Sequence, residues 1–117
     1  MNKPLALIVE DDPQLNQIFT LALQGDYEAE SFADGDAALA RLAQVKPRLI
    51  LLDLHLPGAA GSAILSRVRA DETLRDVTVI LCTADDRQAD ALSEKADFVL
   101  LKPVSPIQLR QLAARLK

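Results

Sequence analysis

Cysteine is almost missing from this sequence. Cys82 is the single thiol in 117 residues, so neither an internal disulfide nor a thiolate zinc cluster can be built. It lies inside the apolar run Val79-Ile80-Leu81-Cys82, where a small buried core residue is the favoured reading. A basic excess is also missing. Thirteen Lys and Arg stand against 17 Asp and Glu, for a formal charge of -4 and a pI of about 4.9. The basic residues are scattered singly, without the patch or stripe that a nucleic-acid or membrane surface requires. No apolar stretch is long enough to cross a bilayer, and the one after Met1-Asn2-Lys3-Pro4 is too short and too quickly charged for a signal peptide. The expectation is a cytoplasmic protein in a reducing compartment, with no direct contact to nucleic acid or membrane. Linkers, repeats and low-complexity segments are lacking too. A chain of 117 residues, half of them apolar, predicts one domain over residues 1–117 with one real core.

What is present is a strict alternation. Short apolar runs cover Leu5–Val9, Glu28–Phe32, residues 49–54, residues 77–83 and Phe98–Leu101, the second being the weakest. Between them lie helical patterns. Leu15, Ile18, Phe19, Leu21, Ala22 and Leu23 repeat at helical spacing after Pro13 and stop at Gly25. A second helix is predicted over residues 36–45, ending before Pro47, and a third follows Pro57-Gly58 with Ile64, Leu65 and Val68. Residues 85–95 form a more polar fourth helix with a thin apolar stripe. The fifth opens with Ser105 as N-cap and Pro106 at its first position. Five such units predict a doubly wound α/β domain, a five-stranded parallel sheet with helices on both faces. The order 2-1-3-4-5 of flavodoxin-like folds is its economical solution.

In such a sheet ligands sit beyond the carboxyl ends of the strands, at the switch point between the first and the third. Glu10 and Asp11 directly follow the first run, and Asp53 terminates the apolar part of the third. Carboxylates gathered there repel one another and resist ionising together, so the arrangement points to a divalent cation. Thr83 ends the fourth run and Lys102 follows the fifth, adding a hydroxyl and a positive charge to the same crevice. A carboxylate nucleophile, a metal cage, a donor and a cation suit phosphoryl transfer, in which the protein mostly positions groups and neutralises charge.

Over essentially its whole length the chain resembles the receiver domain of the two-component response-regulator family. The resemblance is carried by Val9-Glu10-Asp11-Asp12-Pro13, by Leu52-Asp53-Leu54-His55-Leu56-Pro57-Gly58 with Gly61, by Cys82-Thr83-Ala84 and by Leu101-Lys102-Pro103. It implies that Asp53 accepts a phosphoryl group from a sensor histidine kinase or a histidine phosphotransfer protein. It further implies Mg²⁺ held by Asp11, Asp53 and the backbone carbonyl of His55, with Glu10 acting through a coordinated water. Thr83 and Lys102 would each bind a phosphoryl oxygen, and the Lys102-Pro103 bond would be cis. Output would run through the fourth and fifth helices, with Arg87, Asp90, Glu94, Arg110 and Arg115 on a face for homodimerisation or partner contact. Such a domain is a modified signalling protein and not a turnover enzyme.

Blander readings stand beside these. Taken singly, Asp53 is a turn former, Thr83 a strand residue and Lys102 a solvated charge; their convergence favours the site. Asp12 is either a ligand or the cap of the first helix, and the cap is preferred. His55, the only histidine, and Asp85, two places after Thr83, are candidates for setting the rate at which the phosphoryl group is lost. Receivers commonly carry an aromatic three residues before the lysine. Here that residue is Val99, and Phe98 falls on the opposite face of its strand, which puts the usual aromatic toggle in doubt. Lys95 replaces a frequent glycine, which predicts a different loop after the fourth helix. Three rival functions share parts of this pattern. A small aspartate-dependent phosphatase requires a second acid where His55 stands, an FMN carrier requires a neutral phosphate loop where Glu10-Asp11-Asp12 stands, and a receiver-like binding domain without phosphorylation has no need of Asp53, Thr83 and Lys102 together.

Overall fold

The computed structural model describes residues 2–117. Its elements follow the chain as β1 Leu5–Val9, α1 Pro13–Leu23, β2 Glu28–Phe32, α2 Gly35–Leu42, β3 Leu49–Leu52 and α3 Gly61–Ala70, then β4 Thr78–Thr83, α4 Asp86–Leu92, β5 Phe98–Leu101 and α5 Pro106–Leu116. The five strands are parallel, in the order β2-β1-β3-β4-β5.

Period-two alternation along the strands splits the core into two layers. Leu7, Val9, Ile50, Leu52, Val79 and Leu81 face α2 and α3, meeting Ala38, Leu42, Ile64, Leu65 and Val68. Their neighbours Ala6, Ile8, Leu49, Leu51, Ile80 and Cys82 face α1 and α5, meeting Phe19, Leu23, Leu109 and Ala113. Every residue of β3 is buried, as a central strand covered on both sides requires. β2 lies at an edge, which explains its weak apolar pattern, and Glu30 on it is held by Arg41 of α2 through Nε at 2.8 Å and Nη2 at 3.0 Å. Tyr27 is buried and its hydroxyl donates to the Ala113 carbonyl at 2.7 Å, tying the start of β2 to α5.

Local chemistry sets the helix starts. Asp12 caps α1, accepting from the N–H groups of Gln14 and Leu15, with Pro13 at the first position. Asp34 caps α2, Asp85 caps α4 and Ser105 caps α5. The ends differ from the sequence expectation. β3 stops at Leu52, before Asp53 and Leu54, because Asp53 Oδ1 accepts from the Leu54 N–H at 2.7 Å and turns the chain out of the ladder. β4 begins at Thr78 and not at residue 77. α2 ends at Leu42, where the Gln44 N–H tightens onto the Arg41 carbonyl. α4 spans seven residues and not the predicted eleven, because the Ser93 N–H and hydroxyl both turn back onto the Asp90 carbonyl. A 3₁₀ turn at Glu72–Leu74, capped by Asp71, was not foreseen, since three residues are too few to show a period.

Candidate functional site

β1 and β3 are hydrogen-bonded neighbours, with Val9 opposite Leu52. The residues that follow each strand therefore emerge at the same edge, and Glu10, Asp11 and Asp53 offer carboxylate oxygens that all lie within 4.8 Å of one another. Glu10 and Asp53 are 2% and 6% exposed, while Asp11 faces solvent. Two devices hold this edge. Asn16 of α1 donates from Nδ2 to the Glu10 carbonyl at 2.9 Å and to the Phe32 carbonyl at 3.3 Å, bridging the ends of β1 and β2. Gly61 opens α3 directly against Asp53: a Cβ there would lie 2.1 Å from the Asp53 carbonyl oxygen, so only glycine permits the approach.

Lys102 reaches into the acids from the end of β5. Its Nζ lies 3.1 Å from Asp53 Oδ2 and 2.7 Å from Glu10 Oε1. Burial by itself pulls the ammonium below the ordinary lysine range, but contacts with Glu10 and Asp53 outweigh it and hold the group above that range. For Glu10 burial is the strongest influence and raises the carboxyl, against the opposing pull of Lys102 and of the Asp12 N–H, which donates to Oε2 at 3.1 Å. The ammonium at 2.7 Å is an ionic contact to Glu10 Oε1, and this buried oxygen has no further partner among the described residues. A buried carboxylate oxygen whose one partner is an ammonium, beside two further carboxylates within 4.8 Å, fits a hard divalent cation with oxygen ligands.

Thr83 is fully buried at the end of β4. Its hydroxyl oxygen accepts from the Asp85 N–H at 3.1 Å, so the side chain is engaged by the β4–α4 loop and by no site carboxylate among the described residues. Asp85 Oδ1 accepts from the Gln88 N–H and Oδ2 lies 2.9 Å from His55 Nε2; the Gln88 contact first, and the imidazole second, hold Asp85 below the usual carboxylate range. The His55 to Asp85 contact thus bridges the loops after β3 and β4 across the mouth of the crevice. Lys102-Pro103 is cis, as the resemblance implied. Phe98 is 37% exposed, whereas Val99 packs on the α2–α3 side of the core, as strand alternation dictated.

The structure therefore brings Glu10, Asp11, Asp53 and Lys102 into one cluster, places Thr83 at the adjacent strand end, and gives Asp12 to helix capping. Sequence reasoning missed Asn16. Its signal was an amide on the stripe that continues as Phe19 and Leu23, a polar residue where the period calls for an apolar one.

A flavodoxin-like sheet with an acidic trio at the β1/β3 switch point and a lysine from β5 against the aspartate defines a class of doubly wound α/β domain with an acidic, cation-suited crevice. Comparison with known proteins narrows the class. The family model described as response regulator receiver domain matches residues 6–114. The chain is 36% identical over 115 residues to the phosphate regulon transcriptional regulatory protein PhoB of Pseudomonas aeruginosa, which covers 95% of this chain and 49% of that protein. It is 34% identical over 115 residues to the DNA-binding response regulator MtrA of Mycolicibacterium smegmatis, covering 95% of this chain and 48% of that protein. A solved putative response regulator from Chloroflexus aurantiacus superposes with a TM-score of 0.88 at 28% identity, over 98% of both chains. The chain belongs to the response regulator receiver domain family of two-component signalling. It spans about half the length of the curated relatives it matches.

Proposed function

We propose that residues 1–117 act as a single receiver domain in which Asp53 accepts a phosphoryl group from a phosphohistidine on a sensor histidine kinase or a histidine phosphotransfer protein, in the cytoplasm. The observation that carries this reading is the cluster itself: Asp53 Oδ2 lies 3.1 Å from the Lys102 ammonium and within 4.8 Å of two further carboxylates. An Asp53 carboxylate oxygen attacks phosphorus in line with the departing imidazole. The O–P bond forms as the P–N bond breaks, and the electron pair of the broken bond stays on the ring nitrogen. Lys102 gives up its contact with the free carboxylate and pairs with a phosphoryl oxygen. The Thr83 hydroxyl turns from the Asp85 N–H and donates to another.

Glu10, Asp11 and Asp53, with the His55 backbone carbonyl, would hold Mg²⁺, Glu10 acting through a water. When bound, the ion supplies positive charge that offsets the phosphoryl oxygens. The product is a modified aspartate and not a released product, which separates this role from that of a phosphatase. Phosphorylation adds about one and a half to two negative charges. The β4–α4 loop answers them, and the α4–α5 face with Arg87, Asp90, Glu94, Arg110 and Arg115 passes the change to a partner or a second copy. The relative named as DNA-binding, MtrA, is about twice as long as this chain, and direct contact with nucleic acid is not assigned to residues 1–117. Incubation with acetyl phosphate tests the reading. One stoichiometric, Mg²⁺-dependent phosphoryl group by intact mass, absent in Asp53→Asn, is expected; continuous hydrolysis of phosphate esters would instead favour a phosphatase.

A further inference from the structure

The two ends of α4 are held by different kinds of contact. At its start, Asp85 caps the helix through the Gln88 N–H and is tied to the site by two contacts, its N–H to Thr83 Oγ1 at 3.1 Å and its carboxylate to His55 at 2.9 Å. Along the helix itself, Ala89 is the one fully buried residue. Beyond its end the chain is fastened to the body of the domain by Arg69, in the last turn of α3. This guanidinium donates from Nη1 to the Val77 carbonyl at 3.1 Å, from Nη2 to Asp97 Oδ2 at 2.8 Å, and from Nε to the Lys95 carbonyl. Asp97 is in turn stitched to β4, its Oδ2 accepting from the Val79 N–H at 2.8 Å and its own N–H donating to the Val79 carbonyl at 3.0 Å. One planar fork thus binds α3, the start of β4 and the α4–β5 connection, a use to which a lysine is unsuited. Leu92 before this connection and Ala96 within it pack onto the core.

We propose that Arg69 is a fixed pivot for α4: phosphorylation of Asp53 moves residues 84–92 while the connection at residues 95–97 stays still. The inference rests on the receiver reading above. When the Thr83 hydroxyl turns to a phosphoryl oxygen, the Asp85 N–H loses its acceptor, and the solvent-exposed His55 contact alone then ties the start of α4 to the site. The Arg69 fork is unaffected, because none of its partners touches the site. Movement therefore begins at the crevice, is damped at Leu92, and swings the helix about its far end. A switch of this kind transmits rotation of one helix and leaves β5 in place.

Amide hydrogen exchange on wild type and Arg69→Gln, with and without acetyl phosphate and Mg²⁺, tests this, with uptake followed by intact mass. Wild type is expected to change exchange over residues 84–92 and not over 95–98. Arg69→Gln is expected to take up the same single phosphoryl group, to exchange roughly tenfold faster at Val79 and Asp97 before phosphorylation, and to spread the induced change into residues 93–99. Asp97→Asn weakens the same fork from its more exposed side and is expected to shift in the same direction, by less. Phosphoryl uptake with wild-type residues 95–98 changing as much as 84–88 would overturn the pivot alone, as would an Arg69→Gln response confined to 84–92. Absence of any uptake by wild type would overturn both the pivot and the receiver reading.

Discussion

Glu10 illustrates how a single residue can be wrong for folding and right for a site. It is buried, its carboxyl is raised chiefly by that burial, and one of its oxygens has only the Lys102 ammonium for a partner. A cation among the acids removes this penalty, so Mg²⁺ should stabilise the fold. At a free concentration of a hundred times its Kd the gain is about 2.7 kcal/mol. Urea unfolding with and without Mg²⁺ measures it. In Glu10→Gln the metal-free protein is expected to be at least as stable as wild type and to need more Mg²⁺ for the same gain. Cys82 shows the opposite case, a group whose burial serves packing alone. Its thiol is pushed up to about 12 by burial among apolar neighbours. An acid raised in the folded state contributes stability that is complete below the ordinary thiol value and is lost as pH rises toward the folded one. At pH 8 the native thiol is therefore neutral, and its reaction with a disulfide reagent should be at least about a hundredfold slower than in urea. Equal rates would show that Cys82 is not in the core.

At the scale of elements, stability and response lie in different places. α1 and α5 cover the β-sheet face that holds Ile8, Leu51 and Ile80, whereas α4 buries little and depends on its caps. Leu51→Ala should cost about 2–5 kcal/mol in urea unfolding. Ile107→Ala, on the exposed side of α5 where the residue is 70% accessible, should stay within about 0.5 kcal/mol of wild type. Asp34→Ala removes the oxygen that accepts from the Ala37 N–H at 2.8 Å and should cost about 1 kcal/mol without changing phosphoryl uptake, because α2 lends no side chain to the acidic cluster. The elements were legible in the sequence to the extent that a local rule governed them. Pro13, Ser105 and Pro106 mark helix starts by their own backbone chemistry. The ends of α2 and α4 were not legible, since their lengths are decided by bonds from Gln44 and Ser93 that composition does not announce, whereas Gly25 did mark the stop of α1.

Across the whole molecule the site was readable because the parallel topology converts sequence position into place. Residues just past strand ends must share one edge of the sheet, and Glu10, Asp11, Asp53 and Lys102 do. What the sequence did not reveal are bonds between segments with no shared local pattern: Asn16 across β1 and β2, His55 with Asp85, and the Arg69 fork. Each depends on which segments the fold brings together, and no periodicity or spacing rule reaches them. The central claim is that one carboxylate among the acids takes the phosphoryl group. It is tested most directly by trapping: wild-type protein is treated with acetyl phosphate and Mg²⁺, reduced with borohydride to convert an acyl phosphate into the alcohol, and mapped by peptide mass. Conversion at Asp53 alone is the predicted result; conversion at Asp11 or Glu10, or at no carboxylate, would contradict it.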